Sequence, residues 1–163
     1  MIFVTVGTHE QPFNRLVEYM DKWAAGHDEE VIMQTGFSTY EPKHCEWSKL
    51  YPYSQMVELV EKARIVITHG GPSSFIMPLQ IGKIPIVVPR KKEFDEHVND
   101  HQVEFSKAVA ERQGNIVVVE NVDMLSDTIE NYPNVVKSMP AALNCNNTAF
   151  NQNLEKIVQE LFR

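Results

Sequence analysis

Short β-branched runs alternate along this chain with segments whose apolar residues return every three or four positions. Ile2–Val6, Val31–Gln34, Ile65–Thr68, Ile84–Val88 and Ile116–Val119 read as strands buried on both faces. Behind Pro12, the residues Phe13, Leu16, Val17, Met20 and Ala24 keep helical spacing until Gly26-His27-Asp28. Ser54 is placed to cap a second helix bearing Met56, Val57, Leu59 and Val60. Pro72 is preset for the first position of a third helix, which ends at Gly82 and carries Pro78 inside, so a kink or an early stop is expected. A fourth runs from Asn99–Gln102 to about Arg112 and is closed by Gly114. Met124, Leu125 and Ile129 predict a short helix that stops before Pro133.

Three stretches lack such a simple pattern. Phe37–Tyr53 holds Tyr40, Trp47, Tyr51 and Tyr53 without a clean period. It reads either as a long loop with one short strand near His44–Ser48 whose aromatics cover the core, or as a contact surface for another chain. Tyr132–Asn147, rich in Asn and Pro, reads as an irregular crossing. Thr148–Phe162 is amphipathic and is expected to pack on the domain's own sheet, docking on a partner being the alternative.

The alternation of strands and helices predicts one α/β domain over residues 1–163, a Rossmann-like parallel sheet with helices on both faces. Open sheets of this kind bind ligands beyond the carboxyl ends of their strands. Four groups fall on that rim: Gly7-Thr8-His9, His69-Gly70-Gly71-Pro72-Ser73-Ser74, the loop Glu93–His97, and Asn99-Asp100-His101-Gln102. The first two offer backbone N–H groups, hydroxyls and a helix N-terminus suited to a diphosphate. Carboxylates and amides in the last two suit sugar hydroxyls. His69 reads either as a neutral core histidine capping its own turn or as a ligand contact.

A net charge of −7 argues against a nucleic-acid binder. Arg90-Lys91-Lys92 is the densest basic cluster and is expected to be solvated, as are Asp95 and Glu96 taken singly. Cys45 and Cys145 have neither metal nor redox spacing, which fits a reduced, cytoplasmic setting. No export signal is expected, and the longest apolar run is far short of the ~18 residues of a membrane span. The dinucleotide fingerprint and the Walker A pattern are both missing, which argues against NAD, FAD and ATP chemistry. His97 and His101 stand four apart without a third ligand at metal spacing, so no metal site is assigned.

Three blocks in order carry a resemblance: Val-Thr-Val-Gly-Thr-His-Glu-Gln-Pro-Phe (4–13), Thr-His-Gly-Gly-Pro-Ser-Ser (68–74) and Pro-Arg-Lys-Lys-Glu-Phe-Asp-Glu-His-Val-Asn-Asp-His-Gln (89–102). Together they resemble the C-terminal domain of family 28 glycosyltransferases, in the form of a free-standing bacterial subunit of capsule or exopolysaccharide synthesis. That group is similar to the catalytic subunit of the eukaryotic two-subunit N-acetylglucosaminyltransferase acting on dolichol-linked sugars. The resemblance covers about residues 1–130. It implies the C-terminal half of a GT-B enzyme, with a UDP-sugar as donor substrate and no cofactor. Gly7 and Thr8 would lie by the donor phosphates or face the acceptor. His69, Gly70, Gly71, Pro72, Ser73 and Ser74 would form the diphosphate turn. Glu96, His97, Asn99, Asp100, His101 and Gln102 would serve the donor sugar, with His101 and Gln102 on its hydroxyls. His9 is the in-chain candidate for the base. Many relatives bind ribose through a glutamate where this chain has Met77, so ribose recognition here has to use other groups.

A GT-B cleft needs two domains, so a second, membrane-anchored subunit is expected to supply the opposite wall and bring a lipid-diphosphate-linked saccharide as acceptor. The expected location is cytoplasmic, at the inner face of the membrane through that partner. UDP-galactose is the first donor expected, ahead of UDP-N-acetylglucosamine and UDP-glucuronic acid. The competing expectation is a non-catalytic subunit that enhances a partner glycosyltransferase.

Overall fold

In a computed structural model, residues 1–139 are described. Six parallel strands, β1 (Ile2–Thr5), β2 (Val31–Gln34), β3 (Glu46–Ser48), β4 (Ile65–His69), β5 (Ile86–Val88) and β6 (Val117–Val118), form one sheet in the order β3-β2-β1-β4-β5-β6. The helices are α1 (Asn14–Ala25), α2 (Tyr53–Lys62), α3 (Pro72–Gln80), α4 (His101–Gln113), α5 (Leu125–Glu130) and α6 (Tyr132–Ser138). The expected Rossmann-like α/β architecture is present. No helix among the described residues is long and apolar enough to cross a membrane.

Side-chain alternation along the strands divides the core. Ile2, Val4, Ile65, Ile67, Ile86 and Val88 pack on one face with Leu16, Val17 and Met20 of α1 and Leu125 and Ile129 of α5. On the other face, Phe3, Ile32 and Val66 meet Leu59 and Val60 of α2. Val87 meets Phe75 of α3 there, with Phe105 and Val109 of α4 packed around them. The strand order reverses between β1 and β4, whose residues pair from Ile2↔Ile65 to Thr5↔Thr68. Chain leaving β1 turns to one face and chain leaving β4 to the other, so a crevice opens beyond the carboxyl ends of these two strands.

Several boundaries differ from the sequence expectation, each for a local reason. The first helix starts at Asn14 rather than Pro12, because the Phe13 amide donates to Ser38 Oγ at 3.0 Å and is capped from the loop after β2. Ser54 does not cap α2: the helix starts at Tyr53, and the Pro52 carbonyl accepts the Met56 amide at 2.9 Å. Pro78 leaves α3 intact for two more residues, and its carbonyl then takes the amides of Ile81 and Lys83. Ile84 and Pro85 fall outside β5, where the Pro85 carbonyl accepts from Val117 instead. The strand over 116–119 is reduced to Val117–Val118 and that over 44–48 to Glu46–Ser48. Tyr132–Ser138 is helical rather than irregular, since Pro133 sits in the first turn, where its missing N–H costs nothing. Residues 148–162, expected as the last helix, lie outside the described residues.

The aromatic loop after β2 is anchored by Asp21, a buried carboxylate on α1. It accepts from the Tyr40 hydroxyl at 2.9 Å and from the amides of Lys43 and His44 at 2.9 and 2.7 Å. Tyr40 and Trp47 thereby cover the core, the first of the two readings of this loop. Burial pushes the Asp21 carboxyl upward, but the His44 amide, the Tyr40 hydroxyl and the Lys43 amide together hold it below the ordinary aspartate range. Its contribution is therefore complete above pH 4 and is lost as the pH falls through its depressed value. Asp21→Ala is expected to lower the unfolding free energy at pH 7 by about 2–3 kcal/mol. Urea melts at pH 7 and pH 3 check this, the gap between wild type and variant narrowing in acid.

Candidate functional site

A cleft of about 580 Å³ occupies the crevice between β1 and β4, within the roughly 300–1,000 Å³ usual for small-molecule sites. Its polar end is lined by Gly7, Thr8, His9, His69, Ser73 and Ser74. Leu50, Tyr51, Tyr53, Met56, Val60 and Met77 form its apolar end, with Thr5 and Gln34 on the floor. The sequence motifs at the ends of β1 and β4 thus meet in one place.

His69 organises the polar end. Its ring is buried between two glycines: a Cβ on Gly7 would stand 2.3 Å from His69 Nε2, and one on Gly71 2.2 Å from Cε1. Gly7 also has a φ of +73°, which disfavours any other residue. The close approach that the glycines allow is therefore to the protein's own imidazole. The Gly71 amide donates to His69 Nδ1 at 3.0 Å, so the neutral ring carries its proton on Nε2 and donates to Ser74 Oγ at 2.8 Å. That leaves the Ser74 O–H free to donate elsewhere. Burial drives the His69 pKa down to about 4, with Arg90 adding to the effect. His69 is thus a neutral buried histidine that caps its own turn, and it also lines the cleft.

At the start of α3 the amide supply is smaller than the motif suggested. Gly70 donates to Gln102 Oε1 at 3.1 Å, Gly71 to His69, and Pro72 has no N–H. The Ser74 amide turns back to the Gly71 carbonyl at 3.1 Å. Among the described residues the Ser73 amide has no such partner, and it stands with the Ser73 and Ser74 hydroxyls at the polar end.

His9 accepts the Gln11 amide on Nδ1 at 3.2 Å and lies against His97, the ring centroids 4.8 Å apart and the planes tilted by 40°. In the neutral ring Nε2 then holds the proton, so His9 offers a donor. Acting as a base would mean giving up the Gln11 amide. Burial lowers the His9 pKa, helped by Arg90 and His97 and opposed by Glu10.

The second group of candidates lies outside the cleft lining, Glu96 and Gln102 buried and Asn99, Asp100 and His101 exposed. Glu96 is 2% exposed, and its carboxylate is held by Arg15 at 2.8 and 2.9 Å and by the Lys91 amide at 3.0 Å. Asp100 accepts the Lys92 amide and Asn99 the His101 amide. His101 stacks on Phe105. Gln102 is buried, its Oε1 shared by the amides of Gly70 and Arg90, and a Cβ on Gly70 would come within 2.8 Å of Gln102 Cβ. The expectation that Arg90 and Glu96 are solvated is overturned: Arg90 is 0% exposed. None of Glu96, His97, Asn99, Asp100, His101 and Gln102 lines the cleft. The apolar wall from Leu50 to Met56 was not foreseen as part of a site, although its aromatics directly after a short strand were the available signal.

A crevice at the reversal of an open parallel sheet, polar toward a helix start and apolar toward an aromatic loop, is the ligand-binding position of a doubly wound protein. Residues 1–161 match the glycosyltransferase family 28 C-terminal domain, and the chain belongs to that family. Among solved structures, the glycotransferase of kitacinnamycin superposes with a TM-score of 0.62 at 18% identity, over 83% of this chain and 36% of that one. The glycosyltransferase SnogD from Streptomyces nogalater does so with a TM-score of 0.52 at 17% identity, over 91% and 42%. At these identities the likeness is one of fold, that of the C-terminal half of a GT-B glycosyltransferase. The chain spans less than half the length of either structure. No curated protein sequence matches it.

Two outcomes follow from the packing around His69. Gly71→Ala is expected to cost about 1–3 kcal/mol, most of it recovered in a His69→Ala background, as a double-mutant cycle by urea unfolding would show. The lowered His69 pKa makes its contribution complete above its ordinary value of 6.5 and removes it as the pH falls toward about 4. Wild-type stability should therefore decline across that window more steeply than that of His69→Asn.

Proposed function

We propose that the chain is the donor-binding catalytic subunit of a two-component glycosyltransferase. It moves a hexose, galactose first, from a UDP-sugar to a lipid-diphosphate-linked saccharide in exopolysaccharide or capsule synthesis. The observation that carries this reading is the two-ended cleft. Tyr51, Tyr53 and Met56 give a planar base and its ribose an apolar wall. Across from them stand the Ser73 amide, the Ser73 and Ser74 hydroxyls and the start of α3, suited to a diphosphate.

Transfer inverts the anomeric carbon: the acceptor hydroxyl attacks from the face opposite the leaving UDP. Negative charge then grows on the diphosphate, and the N-terminal end of α3 with its hydroxyl donors stabilises it. His69 keeps the Ser74 hydrogen pointed outward by donating to its oxygen. His9, presenting an N–H, serves as a further donor, and the base is assigned to the partner that supplies the acceptor side.

Calorimetry of the chain with UDP tests the site. Ser74→Ala is expected to weaken UDP about tenfold and Tyr51→Ala by at least as much. Turnover assays on membranes holding this chain and its partner, with each donor sugar and each chain omitted in turn, test the activity. Unchanged turnover in Ser74→Ala with the complex intact would favour the non-catalytic subunit instead.

A further inference from the structure

Arg90 was the least expected side chain in the molecule: a guanidinium with no exposed surface and no carboxylate within salt-bridge distance among the described residues. Backbone carbonyls meet its charge instead. One terminal nitrogen donates to Gln11 O at 2.7 Å and Glu96 O at 3.0 Å, and the other to Val6 O at 2.8 Å. Val6 and Gln11 bracket Gly7-Thr8-His9, while Glu96 precedes His97. A single planar group therefore closes both ends of the β1–α1 loop onto the loop after β5. This brings the rings of His9 and His97 together.

Two further contacts make the junction rigid. The Arg90 amide shares Gln102 Oε1 with the Gly70 amide, which ties in the β4–α3 turn as well. The Phe13 ring meets two guanidiniums, 5.0 Å from Arg90 and 5.3 Å from Arg15, and Arg15 is itself forked onto Glu96. A lysine keeps the charge but has one nitrogen where Arg90 bonds its three carbonyls from two.

We propose that Arg90 is the positioning residue of the cleft, its guanidinium holding the Thr8–His9 segment against the loop that carries His97, beside the turn that carries His69 and Ser74. It touches neither sugar nor phosphate and acts through the loops it joins. The consequence for UDP rests on the glycosyl-donor reading; the positioning of His9 does not. The same buried charge disfavours protonation of the two imidazoles it stands behind. Burial is the larger cause at both; His97 and Glu10 are the other groups acting on His9, and Gln102, His9 and His97 those acting on His69.

The test uses the whole chain with Arg90→Lys and Arg90→Met, read by histidine NMR and UDP calorimetry. Arg90→Lys is expected to lose the His9–His97 ring contacts and about tenfold in UDP affinity, while His69 titrates as in wild type. In Arg90→Met the affinity falls at least as far, and both His9 and His69 titrate higher. Retained ring contacts, or unchanged UDP affinity in folded Arg90→Lys, would overturn the proposal. Should neither variant fold, wild type decides: separate, slowly exchanging Arg90 Nη resonances support it, and a freely rotating group sinks it. A wild-type chain that ignores UDP would instead remove the glycosyl-donor reading, leaving the ring contacts to judge Arg90.

Discussion

A bulky ring has to fit where two parallel strands part, and much else in the structure follows from that. The His69 imidazole fills the space between Gly7 at the end of β1 and Gly71 before α3, leaving no room for a Cβ on either. Because Gly71 donates to one ring nitrogen and Ser74 receives from the other, the ring also fixes the direction of a hydroxyl nearly one helical turn away. Burial keeps it uncharged. Steric fit, hydrogen-bond polarity and protonation are thus decided together by one residue.

Legibility of this chain depended on how local the determining interactions are. Strands β1, β2 and β4 were readable because burial on both faces leaves an unbroken apolar run that little else produces. The glycine-histidine turn was readable because its residue types sit directly after such a run. What escaped notice is held by distant partners. Arg15 and Glu96 are separated by 81 positions, and nothing near either one signals that a loop acid and a helix arginine are buried as a pair. For the same reason nothing near Gln102 signals that its oxygen is shared by two distant backbone amides. Tyr51 and Tyr53 were hidden by a loop whose folding rests on Asp21, a side chain in another helix.

The electrostatics behind the cleft follow a consistent scheme. Arg90, whose own pKa burial brings down to about 10, is met by carbonyl oxygens, and the nearby carboxylate of Glu96 is given to Arg15. Positive charge is therefore kept behind neutral imidazoles, and the groups facing the cleft are dipoles and hydroxyls. Preorganised dipoles of this kind need little rearrangement as charge develops beside them. Solvated lysines at the same distance would be screened and mobile.

Lys83 bears on the cleft from its far side. Its ammonium, just beyond α3, is bonded to the Val60, Glu61 and Ala63 carbonyls at the end of α2. The two helices flanking the cleft are consequently riveted together at their carboxyl ends, like the legs of a pair of tweezers. Widening or narrowing has to occur at the other ends, where Tyr53 stands 74% exposed and Ser73 lies in the first turn of its helix. A modification that removed the charge of Lys83 would unseat that pivot and let both legs swing.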